Sequence, residues 1–230
     1  MAGYILLEGG AEFGDGMAEP DRRAIQLAGG PEAPIGIIPA AAAPDNNHER
    51  AGNTGKRWFN HLGAKDVSVL PLIDRASADR PSVLAELGRD KLIFLLGGFT
   101  NYLAQSLLGS RGWQAILAAH QQGAVVAGSS AGAMVLCEYY YNPENSQVCL
   151  GLGLAPNACV LPHHNSFGRR WAPRLAALLP RAVLIGLDEH TGIINDGEGG
   201  AWRVYGTGAV TLYRQGQPTR YSAGKEFSLE

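Results

Sequence analysis

Ser130 lies at the centre of Gly128-Ser129-Ser130-Ala131-Gly132, a serine with glycine two positions away on each side. A G-x-S-x-G turn between a strand and a helix is a nucleophile elbow: the strained backbone pushes the hydroxyl out of the sheet edge, where it can attack a carbonyl. Side chains at the two glycines would collide with the crossing strand and helix. A serine at neutral pH needs a base, usually histidine, itself oriented by a carboxylate. His163 and His164 follow Val160-Leu161-Pro162 and so stand in a loop at a strand end, where ligands gather in open α/β sheets. Either of them can be the base. Asp188-Glu189 follows another apolar run and is the candidate orienting acid, whereas His190 is too close in sequence to be oriented by it. The oxyanion of an acyl transfer needs two amides; Ala131 offers one and the Gly97-Gly98 turn the other. His48, His61 and His120 read as solvated surface, and Glu138 and Glu144 as surface carboxylates, with Glu138 and Cys137 inside the helix after the elbow.

The elements that must position these groups follow from periodicity. Ala124-Val125-Val126-Ala127 reads as a buried strand and Ala133-Met134-Val135-Leu136 as a helix former. Upstream, apolar runs at 4–7, 35–39, 67–71 and 91–96 read as strands. Helices are expected between them over 22–28, 54–62, 81–87 (Pro81 in the first turn), 102–108 (capped by Asn101) and 113–122. The polar stretch 40–53 reads as a loop over the carboxyl end of the sheet. This alternation predicts an α/β fold with a doubly wound, mostly parallel sheet flanked by helices. After the elbow come strand-like runs at 147–150 and 158–161, a helix over 171–179 and a strand over 183–187. Glycine-separated strands at 192–194, 202–205 and 209–213 suggest C-terminal antiparallel hairpins. No linker, repeat or low-complexity stretch divides residues 1–230, so a single domain is expected.

Composition narrows the function classes. The 230 residues are 46% hydrophobic and 17% charged, which suits a globular core, and a net charge of -2 gives no reason to expect nucleic acid or a membrane surface as partner. Cys137, Cys149 and Cys159 lack CxxC spacing and are odd in number; they read as reduced thiols of a cytoplasmic protein, with no metal site or cofactor implied. The apolar run near the N-terminus is too short for a signal peptide, and no stretch approaches a membrane span.

Taken together the motifs resemble the serine peptidase family that includes dipeptidase E (aspartyl dipeptidase) and cyanophycinase. The resemblance covers nearly the whole chain: Gly9-Gly10-Ala11-Glu12, Ile37-Ile38-Pro39-Ala40, Gly97-Gly98, the elbow with Ala133, Pro162-His163, Gly186-Leu187-Asp188-Glu189-His190-Thr191, Trp202-Arg203-Val204 and Gly208-Ala209-Val210-Thr211. It implies the class I glutamine amidotransferase-like fold, a flavodoxin-like three-layer sandwich, and Ser-His-acid catalysis without a metal. By resemblance Ser130 is the nucleophile, His163 the base and Glu189 the acid. The aspartate that dipeptidase E is thought to use after its nucleophile has no counterpart in residues 139–147. Gly98 and Ala131 would then hold the oxyanion, and Arg169 or Arg170 would pair with a substrate carboxylate.

The chain also departs from the family. Phe99-Thr100-Asn101 follows the glycine pair where aspartate or asparagine is common. Leu161 stands where cyanophycinase has an acid, and Arg169, Arg170 and Arg174 come at shifted spacing. The expectation is a serine exopeptidase cleaving a small peptide or isopeptide, one with an acidic residue at its amino end; a homodimer is left open. The alternative is a non-catalytic binding protein, or a differently specialised amidase, on the same fold. A glutamine amidotransferase would carry cysteine at the elbow. An α/β-hydrolase esterase would place its histidine after the acid, where only the adjacent His190 stands.

Overall fold

Alternation of apolar side chains along the first strand divides the core in two. In the computed structural model, which describes residues 2–229, β1 (Ile5–Glu8) sends Leu6 to one side and Ile5 and Leu7 to the other. Along the chain follow α1 (Ala18–Leu27), β2 (Ile35–Ile38), α2 (His48–His61), β3 (Val67–Val69), α3 (Pro81–Arg89), β4 (Leu92–Leu95), α4 (Thr100–Leu107), α5 (Arg111–Gln121), β5 (Val125–Ser129) and α6 (Ala131–Leu136). Leu6, Ile35, Ile37, Leu92, Phe94, Val125 and Ala127 bury against α1 and α2, through Ile25, Trp58 and Phe59. Ile5, Leu7, Ile38, Ile93, Leu95 and Val126 bury against the helices of the opposite face, which contribute Val83, Leu87, Leu103, Leu107, Trp113 and Ile116. That is the expected three-layer arrangement: parallel pairing runs β1–β5–β4–β2–β3, with helices on both sides.

The second half contains β6 (Cys137–Asn142), β7 (Gln147–Leu150), β8 (Ala155–Leu161), α7 (Ala172–Leu178), β9 (Val183–Leu187), β10 (Thr191–Ile194), β11 (Trp202–Gly206), β12 (Ala209–Arg214), β13 (Gln217–Ser222) and β14 (Glu226–Phe227). The antiparallel C-terminal strands are present but distributed over two sheets. β10, β11 and β14 extend the first sheet on the far side of β1, giving the order β14-β11-β10-β1-β5-β4-β2-β3. A second sheet has the order β13-β12-β9-β8-β6-β7, with β6–β8 and β8–β9 parallel. Its buried residues, among them Cys159, Val160, Leu184 and Ile185, join the same core as Ala131, Ala133, Met134, Val135 and Leu136 of α6.

Three local expectations are corrected. The stretch 40–53 is not all loop, because α2 begins at His48; its buried stripe is Gly52, Gly55, Trp58 and Phe59, and glycine hides the periodicity. A Cβ at Gly52 would stand 2.5 Å from Val69 Cγ1, and one at Gly55 2.8 Å from Phe13, so both glycines let the helix lie close to the sheet. The elbow helix stops at Leu136, and Cys137 and Glu138 open β6. The aromatic run Tyr139-Tyr140-Tyr141 favours a pleated surface and pairs with β7 and β8. Asn101 lies within α4 and caps nothing; its side-chain oxygen accepts from the Tyr140 hydroxyl at 2.9 Å. The cap sequence reading missed is Ser110, whose Oγ accepts from Trp113 N at 2.9 Å at the start of α5.

Candidate active site

Ser130 sits at φ 47°, ψ -107°, between β5 and α6. For a non-glycine residue this conformation is strained, and it persists because the flanking packing fixes it. A Cβ at Gly132 would lie 2.2 Å from Leu95 O on the neighbouring strand, and one at Gly128 would lie 2.5 Å from Gly132 C. Neither position tolerates a side chain, which is the steric requirement an elbow imposes. The Ser130 N–H donates to Glu8 O at 3.0 Å, tying the turn to β1.

Ser130 Oγ lies 3.0 Å from His163 Nε2, and His163 Nδ1 lies 2.7 Å from Glu189 Oε1. The pattern assigns a tautomer: Nδ1–H donates to the Glu189 carboxylate and Nε2 accepts from the serine hydroxyl. Three further contacts hold the base. His163 takes φ 50° and donates its N–H to Gly9 O at 2.7 Å. Its ring lies over Gly10, where a Cβ would come within 2.3 Å, and its other face stacks on Phe167 at 4.9 Å and 24°. Glu189 is anchored in turn, its N–H donating to Asn165 Oδ1 at 3.0 Å.

The neighbouring residues diverge from this site. His164 is buried, its Nε2 2.8 Å from the Tyr213 hydroxyl and its Nδ1 3.5 Å from Asp188 Oδ1. Burial pushes its pKa below the usual histidine range. Asp188 accepts from Ala209 N at 3.1 Å and lies 3.6 Å from Arg220. Sequence reading left open which histidine meets Ser130; the geometry brings His163 and Glu189 to it and turns His164 and Asp188 away. Both dipeptides lie in turns past the ends of β8 and β9, and the turn at His163, φ 50°, sends the two rings apart.

Gly97, the residue before Gly98, adjoins the elbow: a Cβ on it would lie 3.3 Å from Ser130 Cβ. Gly98 takes φ 137°, and a Cβ there would lie 2.4 Å from Ala41 O. Among the described residues neither the Gly98 nor the Ala131 amide donates to a backbone acceptor outside the regular elements. Arg169 and Arg170 are exposed in the turn Gly168–Trp171 and bond to none of Ser130, His163 and Glu189. Arg169 instead lines a cavity with His164, Asp188, Tyr213 and Arg220. His120, expected at the surface, is buried with its Nδ1 3.1 Å from Ala124 O. Among the described residues no group of three or more His, Cys, Asp or Glu side chains is arranged so that it could hold a metal ion, and no helix is long and apolar enough to cross a membrane.

Sequence reading did not single out a group of acids behind the elbow. Glu8 and Ser129 are register partners on the α1/α2 side of the first sheet, and Asp21 of α1 faces them. Glu12 reaches the same place from the loop after β1, its Oε2 accepting from Gly97 N at 3.1 Å. The signal available in the sequence was Glu8, an acid in an otherwise apolar strand.

A parallel α/β sheet that delivers a strained serine to a histidine and a carboxylate belongs to the class of elbow-type serine hydrolases. The model of peptidase family S51 matches residues 5–201, and the chain belongs to that family of serine peptidases. Cyanophycinase of Synechococcus elongatus is 32% identical over 225 residues, covering 91% of this chain and 67% of that protein. The Geminocystis herdmanii cyanophycinase is 30% identical over 231 residues, covering 95% and 82%. The crystal structure of a peptidase from an acI-B1 Actinobacterium superposes with a TM-score of 0.86 at 31% identity, over 99% of this chain and 97% of that one. A Listeria monocytogenes EGD-e chain bearing the peptidase E name shares the fold, with a TM-score of 0.65 at 15% identity, over 90% of this chain and all of that one.

Proposed function

We propose that this peptidase is a serine exopeptidase that cleaves a small peptide or isopeptide through a Ser130–His163–Glu189 triad. The observation that carries the reading is the continuous chain of two hydrogen bonds, 3.0 Å and 2.7 Å, from the hydroxyl to the carboxylate. In this mechanism Ser130 Oγ attacks the scissile carbonyl carbon while His163 Nε2 takes the hydroxyl proton. Glu189 stabilises the resulting imidazolium and keeps the ring in register. The Gly98 and Ala131 amides hold the tetrahedral oxyanion. Collapse breaks the C–N bond as Nε2 returns the proton to the departing amine. Water, deprotonated by the same nitrogen, then attacks the acyl-serine ester and releases the acid, with the proton returning to Ser130.

The substrate proposed is a peptide with an acidic residue at its amino end, bound in the cytoplasm; the three cysteines, none of them in a disulfide, suit that compartment. The exposed guanidinium groups of Arg169 and Arg170, in the turn that follows His163, are the cations offered to its carboxylate. Leu161 in place of the acid that cyanophycinase has supports a specificity different from that enzyme's. Asp-X and β-aspartyl dipeptides are therefore the substrates to assay. The Ser130→Ala protein is expected to lose hydrolysis of every substrate by at least about 10³-fold; undiminished activity in that variant would sink the mechanism.

A further inference from the structure

Glu8, Glu12 and Asp21 form a cluster of carboxyl groups beside the nucleophile's turn. Among the described residues none of the three pairs with a lysine, arginine or histidine. The groups that face them are each other, Ser129 Oγ, the Gly97 N–H on Glu12 and the Trp58 Nε1–H, which donates to Asp21 Oδ2 at 2.7 Å. Both Glu8 carboxyl oxygens, Asp21 Oδ1 and Ser129 Oγ are buried without a hydrogen bond of normal geometry. Uncompensated carboxyls are costly to bury and stay protonated until a cation arrives. Burial accordingly raises Glu8 well above the carboxylate range and Glu12 to about 7.

Glu12 is the partly exposed member of this group, Glu8 and Asp21 being buried. It is only half-buried, and one point beside Gly97 lies 3.3 Å from Ser130 Cβ and 3.5 Å from both Glu12 carboxyl oxygens. Glu12 and the nucleophile thus flank the same glycine. In a peptide cut after its first residue, the α-ammonium stands on the carbon bonded to the carbonyl that serine attacks, so its counter-ion must lie this close to Ser130.

We propose that Glu12 is the specificity-determining acceptor for the substrate's free α-ammonium, with its Gly97 hydrogen bond aiming the second carboxyl oxygen. This rests on the serine exopeptidase reading and gives it a substrate class: peptides with an unblocked amino terminus. Binding of the ammonium favours the ionised Glu12 carboxylate, whose proton leaves to solvent, whereas an acetylated terminus brings no charge to pair with it.

The test is a pair of peptides that differ only in a free or N-acetylated amino terminus, cleaved by the wild type, Glu12→Gln and Glu12→Asp. The wild type is expected to favour the free peptide about tenfold or more in kcat/KM, mainly through KM, and Glu12→Gln to lose about tenfold of that preference. Glu12→Asp, which keeps the charge, should retain part of it. If Glu12→Gln lowers both peptides alike, Glu12 only holds the Gly97–Gly98 turn and the inference fails while the triad survives. It fails equally if an acetylated peptide with a lysine or arginine side chain regains the Glu12-dependent advantage. Should neither peptide turn over, the same preference is read as protection of Ser130 from a fluorophosphonate. A Ser130 that never reacts overturns the exopeptidase reading itself, a result distinguishable from an unchanged ratio.

Discussion

Glu189 gives the sharpest test of what one residue does. Its Oε1 is 2.7 Å from His163 Nδ1, and its backbone is fixed by Asn165. Glutamine in its place can present an amide N–H to Nδ1, which then accepts, so the proton moves to Nε2 and points at the serine. That is the wrong tautomer for a general base. Glu189→Gln is expected to keep KM within a few-fold and lower kcat by about 10³- to 10⁴-fold. Steady-state kinetics on a dipeptide checks this, and a loss confined to KM would remove Glu189 from the triad. At this scale sequence reading reached Ser130 from its glycines alone. It could not separate His163 from His164, because adjacent residues share a strand end and only the backbone turn at φ 50° decides which ring faces the serine.

Elements show where legibility stopped. Strands β4, β5 and β9 were readable because they are short, apolar and ended by glycine or acids. The start of α2 was not, since its core face contains Gly52 and Gly55, and neither was β6, whose tyrosines pair with strands that come later in the chain. The Glu8–Glu12–Asp21 group was equally hidden, because its members come from a strand, a loop and a helix. Asp90, which follows α3, belongs to this scale too. Both of its carboxyl oxygens are buried without a partner, and Gly36 on β2 leaves room for it: a Cβ there would lie 2.0 Å from Asp90 Oδ2. Burial raises Asp90 from 3.8 to about 7. The folded state therefore holds this proton more tightly than the unfolded chain. The associated stability is complete below the unfolded pKa and is lost as pH rises through about 7. Glu8, Glu12 and Asp21 act in the same direction. Asp90→Asn should melt close to the wild type at pH 4 and several degrees higher at pH 8, a difference on the order of 2 kcal/mol. Thermal melts across that range check it, and a variant less stable at pH 8 than the wild type would contradict the sign.

At the scale of the whole molecule the site joins two sheets. Ser130 leaves β5 of the first sheet, whereas His163 and Glu189 follow β8 and β9, parallel neighbours in the second. Because α6 shares one core with both sheets, the distance from hydroxyl to imidazole depends on how the two halves pack. The parallel first sheet could be read from alternating strands and helices; the second could not, because its strands are interleaved in sequence with those that extend the first. The family assignment rests on the match over residues 5–201, and the triad rests on the geometry that joins the two sheets. Intact-mass and peptide-mapping analysis after fluorophosphonate treatment of the folded protein, beside Ser130→Ala and His163→Ala, addresses that point. The expected result is a single adduct on Ser130, absent in Ser130→Ala and formed at least about 100-fold more slowly in His163→Ala. An adduct on another residue, or undiminished labelling without Ser130, would contradict the assignment of Ser130 as the nucleophile.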